Sequence, residues 1–211
     1  MRQLIATLLL MLVCMGAHAQ PNWSLKKDED GIKVFTSTTD NSSIKAIKVE
    51  CTMAATPSQL VAYLLDIDKQ PEWVYNTKSS TLLTKVKDNE LIFYSVTEVP
   101  WPCTNRDYIA HFTINQVAPD HIVIDSKAEP DRLPRKDGIV RVKSSIAHWD
   151  ITTTGPNTLN IVYTVQFDPG GAIPAWLINL FLTKGPYHTF EKLREGANKP
   201  AYQNAHVSFI K

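Results

Sequence analysis

With 211 residues, 44% of them hydrophobic and 20% charged, the chain is sized for one globular domain with a substantial core, which excludes disordered and fibrous classes. Its formal net charge is +1, without a long basic run or aromatic–basic interleaving, so there is no footing for nucleic acid or for a strongly anionic membrane surface. Arg2, the apolar run from Leu4 to Met15 and then Ala17-His18-Ala19 have the layout of a secretory signal peptide. Residues 1–19 are therefore expected to be removed near Ala19. That leaves an exported, periplasmic or secreted, monomeric single domain over 20–211, with its core at about 23–197. A lipoprotein signal at Cys14 is disfavoured by Val13, where a small residue belongs, and the run is shorter than the ~20 residues of a membrane span.

The mature chain opens with a weak helix or turn at 23–28 and a strand entering at Gly31. Residues 44–54 alternate as a half-buried strand. Thr56 and Pro57 then start a short helix as N-cap and first helical residue, and it ends near Asp66. Strand-like runs follow near 80–86, 90–99, 107–116, 120–127, 138–151 and 158–168, separated by turn sequences such as Lys-Asp-Asn-Glu and Ala-Pro-Asp-His. In the last run Leu159, Ile161, Tyr163, Val165 and Phe167 share one face. Short strands at this spacing predict an antiparallel sheet with one buried face.

The stretch Asp168-Pro-Gly-Gly through Arg194 is unusually oily. Ile173, Trp176, Leu177, Leu180 and Phe181 fall at helical spacing, with Ile178 and Leu182 widening the apolar surface nearly all round, so the helix must be buried on most sides. Pro186 should kink or break it, after which Tyr187, Phe190 and Leu193 continue a narrower apolar face. A short helix, a curved antiparallel sheet and a kinked C-terminal helix make an α+β helix-grip fold, which can enclose a cavity.

Chemistry-bearing motifs are sparse. The histidines are scattered, and no metal-ligand spacing, nucleophile elbow or phosphate loop occurs, so no catalytic residue, metal or cofactor is assigned. Cys51 and Cys103 are read either as a disulfide or as two separately buried thiols. Trp101, between two prolines, is read either as an exposed loop tip touching a membrane transiently or, the favoured reading, as a plug at the end of the sheet.

Four segments occur in order: Glu72-Trp73; Val-Pro-Trp-Pro-Cys-Thr-Asn-Arg-Asp-Tyr-Ile from Val99 to Ile109; Asp137 to Ile151; and Tyr-Thr-Val-Gln-Phe-Asp-Pro-Gly-Gly-Ala-Ile-Pro-Ala-Trp-Leu-Ile-Asn from Tyr163 to Asn179. Together they resemble the START domain, the steroidogenic-acute-regulatory-protein-related lipid-transfer family, over about residues 23–197. The resemblance implies one hydrophobic molecule, of lipid class, carried without catalysis in a cavity closed by the C-terminal helix. Trp176, Leu177, Leu180, Phe181, Tyr108 and Phe112 are then the expected cavity lining. Gly170, Gly171, Gly185 and Pro186 are the expected hinge or lid, or else a turn and kink demanded by packing. Arg106 is expected either to pair with Asp107, to hold a neighbouring loop or to meet a ligand head group. Some sterol-handling members place an acidic and a basic side chain inside the tunnel. The inward place on the 107–114 strand here holds something apolar, which weighs against a sterol. Two alternatives are an aromatase or cyclase on the same architecture, using His111 or His148 with a carboxylate inside the cavity, and a structural module with a filled core.

Overall fold

The computed structural model describes residues 22–38, 45–171, 173, 174, 177 and 180–211. The leader expected over 1–19 lies outside them, as does Trp176. The first element is a strand, β1 (Ser24–Glu29), where the sequence suggested a weak helix or turn. Asp30 and Gly31 explain the difference: both take positive φ, 49° and 72°, and form the tight turn that pairs β1 with β2 (Ile32–Thr38). β1 is mostly exposed, so it carries little of the alternation that marks a half-buried strand.

β3 (Lys45–Met53) leads to α1 (Pro57–Leu65). The Thr56 hydroxyl accepts from the Gln59 N–H, and the Gln59 side-chain oxygen accepts from the Thr56 N–H, a reciprocal cap that fixes the helix start. A 3₁₀ turn (Ile67–Lys69) and the single turn α2 (Gln70–Trp73) then carry the chain to the far edge of the sheet. From there β4 (Thr77–Lys87), β5 (Glu90–Thr97), β6 (Arg106–Ala118) and β7 (His121–Ala128) run as a meander, followed by β8 (Val140–Arg141), β9 (Ser144–Gly155) and β10 (Thr158–Asp168). The strand expected over 138–151 is thus two strands. β8 leaves the main path to pair in parallel with β6, and β9 pairs with β7 and β10.

The sheet order is β1-β2-β3-β10-β9-β7-β6-β5-β4. Register breaks between β4 and β5, β6 and β7, and β9 and β10 curl it into a half-barrel. The β4 edge is protected by Lys78, Lys85 and Lys87, which discourage pairing with another chain. Into the concave face drops α3 (Gly185–Ala197), preceded by a π-type turn, Leu180–Lys184. The expected break at Pro186 takes this form: Pro186 sits in the first turn of α3, where its missing N–H costs nothing. Phe190 packs on Trp149 and Tyr163, with ring centroids 5.2 and 5.4 Å away. At Gly196 a Cβ would overlap the Tyr63 ring of α1, so glycine is required for that close approach. The tail is ordered: Tyr202, Val207 and Ile210 are buried, and the Tyr202 hydroxyl donates to Asp66 at 2.7 Å. No described helix is long and apolar enough to cross a membrane.

The candidate ligand cavity

Strand periodicity divides the sheet into two chemically different faces. On the convex face Ile92, Tyr94, Val96 and Ile109 form a small separate core closed by Leu133. There Arg141 grips Asp107 bidentately, Nε to Oδ1 at 2.6 Å and Nη2 to Oδ2 at 2.9 Å, with both side chains 1% exposed. Arg141 also donates to the carbonyls of Pro130, Leu133 and Pro134, and Tyr94 donates to Asp107. This network straps the β7–β8 loop over the convex face. The expected alternative of an Arg106–Asp107 pair is therefore corrected. Neighbours on one strand point to opposite faces, and Asp107 takes Arg141.

The concave face and α3 do not meet along their whole length. Between them lies a cavity of about 400 Å³, within the ~300–1,000 Å³ range of small-molecule sites. Its wall is mostly apolar and aromatic, with Phe93, Phe112, Trp149, Val165, Phe181 and Phe190 as large contributors. One end is polar. Thr77, Thr97 and Arg106 stand in register across β4, β5 and β6, and all three line the cavity. In the next row Ser95 lies opposite Tyr108, whose hydroxyl is 3.1 Å from that of Ser126. Burial pushes the Tyr108 and Tyr163 phenols above their ordinary pKa, so both walls stay neutral. Among the described residues Arg106 is the one charged side chain in the lining.

Of the residues expected from the sequence, Arg106, Tyr108, Phe112 and Phe181 line the cavity, as do Gly185 and Pro186. Leu177 is fully buried but stands outside the lining, so it packs in the core and not against a ligand. Leu180 is described only by its place at the start of the π-type turn. Gly170 and Gly171 take left-handed φ of 68° and 67°, a conformation that favours glycine, and they pass beside Val140 and Arg106. Sequence reasoning missed Gln70, Trp73, Thr77, Ser95, Thr97 and Ser145. On β5 both alternating sets are apolar enough to be core, so periodicity alone could not choose the inner one.

Of the readings left open at the cysteines, the disulfide falls; the favoured reading of Trp101 and the histidine dyad of the cyclase alternative are corrected too. Cys51 and Cys103 are free thiols. Cys51 lies on β3 and Cys103 in the loop before β6, four strand steps of roughly 4.8 Å apart, beyond the ~7 Å reach of a disulfide. Burial pushes the Cys51 thiol up to about 12, partly offset by Arg194, so it is an inert core group. Trp101 does not plug the sheet; it is 89% exposed at a loop tip. His111 and His148 face away from the cavity. His111 bridges Glu90 and Glu129, and His148 pairs with Asp125. Neither supplies the in-cavity dyad that the cyclase alternative requires.

The START domain family model matches residues 3–201. The chain belongs to the START domain family. It is 32% identical to an uncharacterised protein of Pseudomonas aeruginosa over 184 residues, 87% of this chain and 91% of that protein. It is 26% identical to the mouse phosphatidylcholine transfer protein over 163 residues, 75% of each. The crystal structure of a STAR-related lipid transfer protein from Xanthomonas axonopodis superposes with a TM-score of 0.76 at 31% identity, covering 84% of this chain and 99% of that one. The START family and the helix-grip architecture are thus both established for this chain.

Proposed function

We propose that the protein is an exported START-domain carrier that holds one lipid-class molecule, without catalysis, in the cavity under α3. The observation that carries this reading is the cavity of about 400 Å³ with a wall largely of apolar side chains. Burying an apolar tail there would gain ~25 cal/mol per Å² removed from water. Similarity to a phosphatidylcholine transfer protein supports the lipid class.

The gate in this reading is the segment between β10 and α3, not α3 itself. α3 is pinned: Tyr187 donates to Asp30, Arg194 donates to the Asp30 carbonyl, and Thr189 accepts from the Tyr75 N–H. Phe181, near the end of that segment, would have to swing away from the cavity about Gly185 and Pro186, in the first turn of α3, for a ligand to enter. Trp101 at its exposed loop tip is the contact with a membrane surface during exchange. Export rests on the signal-like residues 1–19, and a monomer is the working state.

The test is native mass spectrometry of the mature protein from its host's extracytoplasmic fraction, followed by extraction and identification of bound material. One hydrophobic adduct per chain is expected, with loss of the adduct in a folded Phe112→Asp variant. A bare protein mass that stays bare after incubation with liposomes would falsify the carrier reading.

A further inference from the structure

Arg106 is 6% exposed, and its guanidinium is permanently charged. Nη1 donates to the Thr104 carbonyl, but Nε has no partner. Among the described residues no carboxylate lies within ion-pair distance of it, and the adjacent Asp107 is committed to Arg141 on the opposite face. A buried cation without a counter-ion is costly, because its lost hydration is not repaid by a partner charge. In the empty protein, cavity water can solvate Arg106. A wholly apolar ligand would expel that water and leave the charge stranded, whereas a ligand with an anionic group would replace the water with a better partner.

The surroundings fit the second case. Thr77 and Thr97 stand in register with Arg106, so two hydroxyls join the guanidinium along one end of the cavity. The Thr77 Oγ1 is itself buried and unpartnered. Beyond this polar row the wall turns to Phe93, Phe112 and Phe190. No acidic side chain lines the described cavity, so nothing there matches the cationic half of a zwitterion.

We infer that the ligand is a net-anionic amphiphile, with its carboxylate or phosphate on Arg106 and the Thr77–Thr97 row and its apolar tail against the aromatic end. This inference rests on the carrier reading and names the ligand's chemical class. The head group lies beneath the Gly171 turn, whose Cα region comes against the Arg106 Nη2 edge. The tail lies deeper, against Phe190.

The test compares four probes sharing one tail, all below their micellar concentrations: dodecyl phosphate, dodecanoate, dodecylphosphocholine and dodecanol. Binding is read by calorimetry on wild type, Arg106→Gln and Arg106→Lys. Wild type is expected to bind the two anionic probes at least about tenfold tighter than dodecanol or dodecylphosphocholine, the scale of one charged hydrogen bond. Arg106→Gln should bring the anionic probes down to the dodecanol level, and Arg106→Lys should retain part of the preference. Equal binding of dodecanol and dodecyl phosphate by wild type would overturn the inference while leaving the carrier reading intact, and so would equal binding of dodecylphosphocholine. Inorganic phosphate binding as tightly as dodecyl phosphate would overturn it too, by showing a site for free anions. If no probe binds, the carrier reading fails with it. Should Arg106→Gln not fold, the wild-type ranking alone decides.

Discussion

Two buried arginines stand on neighbouring strands, Arg106 on β6 and Arg141 on β8, and their surroundings treat them in opposite ways. Arg141 meets a carboxylate through two hydrogen bonds and three backbone carbonyls besides. Arg106 meets one carbonyl and a cavity. The register explains how both arise from one short pairing: Asp107 lies opposite Arg141, and Arg106 lies opposite Val140. The strand's alternation sends Asp107 to the convex face, where Arg141 and the loop close over it, and Arg106 to the concave face, where it lines the cavity. The network around Arg141 and Asp107 satisfies its own charges. Around the cavity, Arg106 Nε, Thr77 Oγ1 and Trp73 Nε1 are buried without partners among the described residues.

The largest expected effect separates the two arginines directly. Arg141→Gln strands the Asp107 carboxylate in a site 1% exposed and should cost about 3–5 kcal/mol in urea unfolding. Arg106→Gln removes a charge that has no protein counter-ion and should cost the ligand-free protein less than about 1 kcal/mol, the net value of one ordinary hydrogen bond. Similar losses for the two variants would break the comparison. They would mean that Arg106 has structural partners as strong as those of Arg141.

A middle-sized effect asks whether the hollow end of the concave face is a local feature or a sign of loose packing throughout. The C-terminal end of α3 answers for the packed side. Gly196 lies so close to Tyr63 that a Cβ must displace the ring, and Tyr63 is also held against Tyr202 at a centroid distance of 4.8 Å. Gly196→Ala should therefore destabilise by about 1–3 kcal/mol, the usual cost of overpacking, measured by thermal or urea unfolding. A neutral outcome would show slack there as well, and the cavity would lose its distinction from the rest of the interface.

Much of this architecture was legible in the residues. The Thr56-Pro57 helix start, the alternation of β10 and the apolar face of Tyr187, Phe190 and Leu193 after Pro186 each reflect a local rule, and each appears in the structure. The Asp30-Gly31 hairpin was also written in the chain, but β1 is an edge strand with almost no buried side chain to announce it. The site was legible in part. Arg106, Tyr108 and Phe112 lie at alternating positions of one strand, so finding one locates the others. Thr77, Thr97 and Ser145 come from strands distant in sequence, and only the register brings them beside Arg106 or Tyr108. The Asp107–Arg141 pair was hidden for the same reason: 34 residues separate its members, and a two-residue parallel strand joins them.

The smallest expected effect calibrates the buried pair against an exposed one. Glu72 bridges Lys199 and Lys69 on the surface, and these two partners hold its carboxyl down at about 2. A depressed carboxylate pKa contributes stability above the unfolded value of ~4.3, and that contribution fades as pH falls toward the folded value. Glu72→Gln should thus lower stability at neutral pH and converge on wild type near pH 2. Both lysines are about half exposed, so solvent screens the pair and the loss should be no more than about 0.5 kcal/mol, smaller still in high salt. Unfolding midpoints of the two proteins across this pH range check it. If Glu72→Gln were as damaging as Arg141→Gln, burial would not be what makes the loss of a charge partner expensive, and the case for an anionic partner at Arg106 would weaken with it.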